Sequence, residues 1–522
     1  ADPDVYRMIQ AGDTVGVFQV ESRAQIQMLR RTKPQNLEDL IVQVAIVRPG
    51  PIVGGAVTPF VQRRVDPDYV PEYDHRRLEP VLKETLGVIL YQEQVVQVAE
   101  VLAGFRPGQA DQLRRAMTRK RSAEAMRAIE DEFMEGCRRQ GDVEPDVART
   151  VFKKLSGFAE YGFPKSHAAA FGLLAYQSCW LKHYHPAEFL CALLNNQPMG
   201  FYAPHVLIND GKRSGLRILR PDINLSGYEC TVETAKTIRI GLMYVKGLPE
   251  EATERIIDDR RRNGAFRSLA DLIRRVTLRP DALEHLIAAG ACDGFGLQRR
   301  EMLWQIGLFI SPKGFLKPGT RKQAGRQLAL ALPTGQDHVE LPPTTSWERM
   351  TDEYRTLGMS TLYHPLQLMR TRFPKHMVST QDLDHLPDGY RIQIPGLIVC
   401  RQRPGTAKGI TFLLLEDEFG LVNVVIYPDL YERQRLEVRS TPMLTIEGTL
   451  QLANNNTNII AGRLIPIENL TFKPAAHDGW EQPRDEQADL SRVQLMRIAT
   501  YEDGPRSPAD IRAVTPDSHN YR

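Results

Sequence analysis

Apolar residues recur at helical spacing over most of the first 200 residues, and this pattern predicts a mostly helical region. Val95, Val98 and Leu102 share one face, so the helix that carries them is expected to be buried on that side. A Pro-Gly-Pro sequence at 49–51 ends one apolar helix, because proline breaks a helix and fixes a rigid turn. Helices are predicted over 37–47, 108–140, 145–156 and 168–197.

Beyond residue 200 the pattern changes to short strands and then to paired helices. The helices are separated by glycine turns at Gly247 and Gly290. Helix, glycine turn and helix is the form of a helix-hairpin-helix motif, whose turn amides bind a DNA phosphate oxygen. Between residues 254 and 279 there are eight Lys/Arg and four Asp/Glu, which agrees with DNA contact. A helical hairpin with only a packing role fits the same pattern, and both interpretations stay open.

The period changes again near residue 390, where five β-rich segments follow one another. A helix over 429–436 precedes the fourth segment. Five strands with a helix before the fourth are typical of an OB-fold barrel, which commonly binds single-stranded nucleic acid. Aromatic residues are few, so base stacking at Phe412 would be modest. The predicted strands span 391–401, 409–416, 420–427, 443–451 and 458–467.

These patterns together predict a multidomain α+β protein. It would have a mostly helical first domain, a helix-hairpin-helix region and a C-terminal OB-fold β-barrel. The expected divisions are 1–200 for the helical domain, 201–308 for a small β segment plus tandem helix-hairpin-helix, 309–389 for a linker and helix, 390–467 for the OB-fold and 468–522 for a polar tail.

Composition changes this picture little. The chain is 25% charged and 42% hydrophobic, and a net charge of +3 is too small to indicate nucleic acid by itself. No apolar run has transmembrane length and no signal peptide is recognised, so no membrane contact is expected. Six scattered cysteines form no disulfide or zinc pattern, which favours a reducing cytoplasm and a buried, packing role for each.

Charge is concentrated in one place. Between Arg106 and Arg127 there are seven Lys/Arg and two Asp/Glu. A second segment, 161–167, places a tyrosine, a lysine and a histidine ahead of an apolar helix. Cations that share a cleft with a ring and an imidazole suit a polyphosphate that carries a base, although a basic helix is also a common solvated face. At most two or three of these cations can face one ligand.

Five short segments, in their order and spacing, carry a resemblance to a known family. They are Gly16–Ser22 (GVFQVES), Arg48–Pro51 (RPGP), Gly87–Val95 (GVILYQEQV), Leu113–Met117 (LRRAM) and Tyr161–His167 (YGFPKSH). Together they resemble the C-family bacterial DNA polymerase of the polymerase III alpha-subunit type, most like its damage-inducible, error-prone branch. The resemblance runs over nearly the whole chain and implies that residues 1–200 are the polymerase fingers.

The resemblance implies that seven residues bind the incoming dNTP: Arg48, Arg114, Arg115, Lys120, Tyr161, Lys165 and His167. The arginine pair would hold the triphosphate, with the nearby lysine of the basic helix adding charge. The tyrosine and the histidine would lie beside the nascent base pair, and Lys165 would lie near the phosphates or the template. Arg48 would line the pocket from its rigid turn, or would be a solvated arginine at a helix end.

DNA contacts are expected from Lys246, Gly247, Gly290 and Phe412. The sequence departs from the family at Pro249, where related chains tend to have glycine. Proline has no N–H, so one phosphate donor would be missing from the first hairpin.

No catalytic residue and no metal ligand is expected in this chain. The family holds Mg²⁺ on palm carboxylates, whereas the Asp-x-Asp pairs at 2/4 and 66/68 contain proline and the pair at 382/384 lies in a polar loop. The chain begins without Met and leads after four residues into a helix, so we expect a fragment of a longer protein that lacks the N-terminal PHP and palm domains and is inactive alone.

The whole protein would be a DNA-directed DNA polymerase, a nucleotidyltransferase used in DNA repair and translesion synthesis. Its partners would be primer-template DNA and dNTP. A sliding clamp is a further candidate, reached directly or through an accessory translesion protein, because residues 327–330 loosely resemble clamp-binding peptides. The alternative is a non-enzymatic DNA-binding module, in which helix-hairpin-helix and OB-fold serve a partner.

Overall fold

The computed structural model describes residues 2–48, 56–66, 68–70, 72–118, 123–158, 163–309, 341–453, 455–469 and 519–521. Several sequence predictions therefore fall on residues outside these ranges: those for Lys120, for Tyr161, for the Pro-Gly-Pro turn at 49–51, for the clamp-like segment 327–330 and for most of the polar tail. Among the helices that the structure does describe, none is both long enough and apolar enough to cross a bilayer.

The first region is helical, as the apolar periodicity predicted. Its helices are α1 (Pro3–Gln10), α2 (Arg23–Thr32), α3 (Leu37–Ile46), α4 (Val57–Val65), α5 (Glu79–Leu82), α6 (Gln92–Ala103), α7 (Pro107–Thr118), α8 (Ala123–Gln140), α9 (Pro145–Phe158), α10 (Lys165–Tyr184) and α11 (Pro186–Asn195). Ser22 and Asn36 begin α2 and α3, where their side chains accept backbone N–H groups of the first turn. One apolar core joins α1–α3 to α10, and another lies among α6–α9.

The basic segment is a helical hairpin, and the single helix predicted over 108–140 is wrong. Gln109 Nε2 of α7 donates to Glu132 Oε1 of α8 at 3.3 Å. In one continuous helix these two residues would be about 34 Å apart. Gly136 permits the close approach of α8 to the end of α6, since a Cβ there would lie 2.5 Å from the carbonyl oxygen of Ala103. Residues 119–122, which fall between the two helices in sequence, are outside the described residues.

The middle of the chain combines a small sheet with short helices. β1 (Arg217–Leu219) pairs parallel with β3 (Thr237–Arg239), which pairs antiparallel with β2 (Thr231–Thr234). The helices are α12 (Pro204–Arg213), α13 (Glu250–Asn263), α14 (Leu269–Arg275), α15 (Pro280–Ala288), α16 (Arg299–Phe309), α17 (Ser346–Leu357) and α18 (Pro365–Met369). A single large core contains Leu194 of α11, Ile208, Leu286 and Met350. Residues on both sides of position 200 thus share one core.

The C-terminal strands close into a barrel. They are β4 (Arg391–Gln402), β5 (Thr411–Glu416), β6 (Leu421–Ile426), β7 (Met443–Ala453) and β8 (Asn456–Pro466). The order β5-β6-β8-β7-β4 closes because β4 also pairs with β5. Two short helices, α19 (Pro428–Arg433) and α20 (Arg435–Ser440), stand before β7 where one helix was expected, and β9 (His519–Tyr521) pairs parallel with the end of β4. The predicted α+β class with an OB-like barrel is confirmed.

Buried charge fixes the barrel to the middle region. Arg213 Nη1 of α12 donates to Glu416 Oε1 of β5 at 2.9 Å, and the carboxylate is completely buried. Arg370, which follows α18, donates from Nε to Glu418 Oε1 at 2.8 Å. Leu397 and Leu414 of the barrel also belong to the large core. The barrel and the helices before it are therefore one packed unit.

Candidate nucleotide- and DNA-binding surface

The start of α6 is the point to which several predicted nucleotide-binding residues connect. Tyr91 forms a parallel β-bridge with Phe163, and the Gln92 N–H donates to the Phe163 carbonyl at 3.1 Å. The Lys165 N–H, at the start of α10, donates to Glu93 Oε2 at 3.0 Å. Two segments separated by some seventy residues are thereby held side by side. We call this place the α6–α10 junction.

Arg114 reaches the junction from α7. Its Nη1 donates to Gln92 Oε1 at 3.3 Å, while Nε and Nη2 donate to Asp111 Oδ1 at 3.0 and 2.8 Å. Arg115 also pairs with Asp111, at 2.7 Å, but its side chain is 69% exposed against 28% for Arg114. The Arg114 hydrogen bond, with the charges of both arginines, lowers the pKa of the Asp111 carboxyl. Arg114 is therefore held in place, whereas Arg115 extends into solvent.

Lys165 is paired with carboxylates of its own chain. Its Nζ donates to Glu84 Oε2 at 2.6 Å and lies 5.8 Å from the centre of the Tyr91 ring. Because both charged side chains are nearly half exposed, the pair contributes little to stability. A phosphate at Lys165 would therefore compete with Glu84 at small cost.

A line of rings runs from the junction along α10. The Arg48 guanidinium lies 4.8 Å from the Phe163 ring centre, and Phe163 is 5.0 Å from the His167 ring. Phe171 continues the line at 4.3 Å, and Phe18, which is half exposed, follows at 5.4 Å. Burial lowers the pKa of Arg48, and its Nε is buried without a hydrogen-bond partner among the described residues.

Four of the predicted nucleotide-binding residues thus contact the junction or the ring line: Arg48, Arg114, Lys165 and His167. Arg115 is adjacent on α7. Lys120 and Tyr161 lie outside the described residues. Sequence reasoning did not single out Phe163, Phe171 or Phe18, although two of them stand inside the segments that carried the family resemblance. Their alignment as one row of rings is visible only in the fold.

In the first predicted helix-hairpin-helix turn, at Gly247, most backbone polar groups are already hydrogen-bonded within the protein. The Lys246 N–H donates to the Thr356 carbonyl at 2.9 Å, and the carbonyl oxygens of Lys246 and Gly247 accept from His285 and Arg279. Pro249 has no N–H. DNA contact by Lys246 and Gly247 stays a prediction, with Gly247 as the main remaining backbone donor.

Gly290 has a structural role at the end of α15. Its N–H donates to the Ile287 carbonyl at 2.9 Å, its φ is +80°, and a Cβ would lie 2.3 Å from Arg299 Nη2. The glycine therefore caps the helix and admits a buried arginine. Phosphate contact by Gly290 stays a prediction.

Phe412 points from β5 towards α2. The Arg23 guanidinium lies 5.4 Å from its ring centre, and Arg23 is buried. Stacking of a base on Phe412 would require this contact to change. The structure does not test the predicted DNA contact of Phe412.

The described residues do not fit a catalytic metal site. No group of three or more His, Cys, Asp or Glu among them is placed to hold an ion. The Asp-x-Asp pairs serve their own turns: Asp2 caps the Asp4 N–H, Asp66 accepts from the Asp68 N–H, and Asp382 accepts from Ser379. No chemical step through a metal follows from this part of the protein.

Comparison with known proteins defines the class. Residues 1–141 match the bacterial DNA polymerase III alpha subunit finger domain, and residues 215–302 match a helix-hairpin-helix motif. The match to the polymerase III alpha-subunit finger family thus covers residues 1–141, and the resemblance to the C-family is confirmed.

The particular relatives are error-prone DNA polymerases. The chain is 42% identical over 478 residues to that of Anaeromyxobacter sp. (strain K), which covers 89% of this chain and 41% of the relative. It is 39% identical over 487 residues to that of Bdellovibrio bacteriovorus, covering 89% and 45%. It is 42% identical over 469 residues to that of Corynebacterium glutamicum, covering 90% and 43%. The chain thus spans less than half the length of these relatives, which support the polymerase and not the non-enzymatic module.

Proposed function

We propose that this chain supplies the dNTP- and DNA-binding parts of an error-prone DNA-directed DNA polymerase used in DNA repair and translesion synthesis. The observation that carries the proposal is the α6–α10 junction. Arg114 and Lys165 contact this junction, and the row formed by Arg48, Phe163 and His167 begins there. Cations on one side and rings on the other suit the triphosphate and the base of a nucleotide.

In this proposal the arginines of α7 hold the triphosphate while His167 and its neighbouring rings face the nascent base pair. Positive groups aimed at the phosphates stabilise charge that develops on the leaving pyrophosphate. The proposal includes Mg²⁺, because the family holds this ion on palm carboxylates. We expect those carboxylates to lie outside these 522 residues. Primer-template DNA is the proposed partner, a sliding clamp is a second one, and the cytoplasm is the proposed location.

Arg114→Ala in the complete polymerase tests the pocket. Loss of a charge-assisted contact to the triphosphate is expected to lower kcat/KM for dNTP incorporation by about tenfold or more. The measurement is single-nucleotide primer extension at varied dNTP concentration. Arg138→Ala is the matched control, because Arg138 makes the same i,i+3 arginine–carboxylate pair on α8 and is 77% exposed. Equal kinetics for the two variants would remove Arg114 from the pocket.

A second assay uses the 522-residue chain alone. Because its described carboxylates do not form a metal site, we expect no primer extension with dNTP and Mg²⁺. Measurable incorporation would contradict the placement of the catalytic carboxylates elsewhere.

A further inference from the structure

Three polar residues, Gln92, Glu93 and Gln94, begin α6 and belong to the GVILYQEQV segment. Gln92 is half-buried, Glu93 is exposed and Gln94 is buried. Consecutive residues of a helix are rotated by about 100°, so the three side chains leave α6 in three different directions. Each of them contacts a different part of the fold.

Gln94 fixes the start of α6 to the core behind it. Its Oε1 accepts from the N–H groups of Leu90 and Tyr91 at 2.8 and 3.0 Å. Its Nε2 donates to Thr85 Oγ1 at 2.9 Å and to the Val81 carbonyl at 3.2 Å. Gln94 is only 1% exposed, and movement of this helix end would leave buried polar groups without partners. The start of α6 is therefore a rigid support for whatever it contacts.

Gln92 connects this support to α7. Its Oε1 accepts from Arg114 Nη1 at 3.3 Å, while its backbone N–H donates to the Phe163 carbonyl at 3.1 Å. Asp111 holds the Arg114 guanidinium from within α7, whereas Gln92 holds it from another helix. The orientation of this guanidinium relative to the α6–α10 junction therefore depends on Gln92.

Glu93 caps α10 from outside that helix. Pro164, which precedes α10, makes no side-chain hydrogen bond to the first turn. Glu93 Oε2 accepts the Lys165 N–H at 3.0 Å and so replaces the missing cap, and a carboxylate there is favourable at the positive end of the helix. His167 lies in the same first turn, with its ring 5.0 Å from that of Phe163. The start of α6 thus positions the backbone beneath both rings.

We propose that Gln92 and Glu93 are positioning residues of the nucleotide site. Gln92 orients Arg114 for the triphosphate, and Glu93 sets the start of α10, and with it His167, for the nascent base pair. A carboxylate repels a triphosphate, so Glu93 acts through α10 and does not contact the nucleotide itself. The inference rests on the nucleotide site proposed above and names what holds its two halves in a fixed relation.

The test uses the complete polymerase and single-turnover primer extension at varied dNTP concentration, which separates the Kd for dNTP from the maximal rate. Gln92→Ala and Glu93→Ala remove the two contacts. Glu93→Gln is the conservative variant, because it keeps an oxygen that can accept the Lys165 N–H. Gln97→Ala, at an exposed position further along α6, is the matched control for loss of a side chain from this helix.

Gln92→Ala is expected to raise the Kd for dNTP by about fivefold, the effect of one hydrogen bond. In an Arg114→Ala background the same change should alter the Kd by less than about twofold, because residues that act as a unit are not additive. Glu93→Ala should lower the maximal rate by about tenfold and leave the Kd within about twofold, since it misplaces α10 without removing a phosphate contact. Glu93→Gln should return the rate to within about threefold of the parent enzyme.

The outcomes separate this inference from the proposed site. If Arg114→Ala is impaired while Gln92→Ala and Glu93→Ala behave like Gln97→Ala, the inference alone is overturned. Additive effects of Gln92→Ala and Arg114→Ala would remove the role of Gln92, and a Glu93→Gln variant as slow as Glu93→Ala would remove the positioning role of Glu93. If Arg114→Ala is itself unimpaired, the nucleotide site is overturned and this inference falls with it.

Discussion

The buried pair between Arg213 and Glu416 allows a stability prediction with a magnitude. Burial by itself would raise the pKa of Glu416, but the His364 imidazole, whose Nε2 lies 3.9 Å from Glu416 Oε2, and the Arg213 charge outweigh it and hold the pKa at about 2. Relative to an ordinary 4.5, this lowered pKa corresponds to a stabilisation on the order of 3 kcal/mol. Loss of one partner from a buried pair costs a similar amount, about 3–5 kcal/mol. Arg213→Met should therefore destabilise the protein by about 3–5 kcal/mol at pH 7.

The pH dependence has a defined sign. The folded-state pKa of Glu416 is lowered, so its stabilisation is complete above about pH 4.5 and is lost as the pH falls towards about 2. The stability loss caused by Arg213→Met should consequently be largest at neutral pH and smaller near pH 3.

The assay for this pair is unfolding by urea at pH 7 and pH 3.5, with hydrogen exchange in α12 and β5 as a second measurement. Arg355→Met is the control, because Arg355 makes a pair with Asp352 while 63% exposed. Arg213→Met combined with Glu416→Gln should recover part of the loss, since no buried charge is then left unpaired. A loss at pH 7 no greater than that of Arg355→Met would refute the reasoning.

Three further changes have defined outcomes. Burial raises the pKa of Glu21 to about 7, so stability should fall as the pH rises from about 4.5 to about 7. Glu21→Gln should therefore raise the Tm at pH 8 but not at pH 4, and equal Tm shifts at the two pH values would contradict this. Gly290→Ala should cost about 1–3 kcal/mol more in urea unfolding than Gly296→Ala, because both have positive φ but only the first would bring a Cβ against Arg299; equal costs would exclude the clash. Phe133→Ala should cost about 3–5 kcal/mol and speed hydrogen exchange in α6–α9, since Phe133 is fully buried; unchanged exchange there would count against a separate core.

The apolar pattern predicted the elements well where burial alone sets them. The barrel strands and the α6 face follow from periodicity, since the side chains that recur are the ones that become buried. The α7–α8 hairpin did not follow, because strong helix formers run through 113–127 without a glycine or proline. The fold depends instead on the close approach of Gly136 to the end of α6, a contact between distant positions.

The candidate site shows the same division. The motifs placed Arg114 and His167 in one functional group, but sequence gives no sign that Glu84 pairs with Lys165 across 81 positions or that Phe18 continues the row of rings. Pairings of this kind depend on how α6 and α10 meet. Surface charge that a ligand would meet is therefore overestimated from sequence, since part of it is neutralised within the chain.

The barrel is held on two sides by interactions of different strength. Towards α12 it shares an apolar core and the fully buried Glu416, so separation there would expose apolar surface and break a buried ion pair. Towards α2 it is held largely by amide hydrogen bonds such as that of Gln27 to Asn458, each contributing about 1 kcal/mol, because water replaces them when they break. Separation of the barrel is therefore expected first on the side of α2 and its helical region, while the barrel stays fixed to the helix-hairpin-helix part.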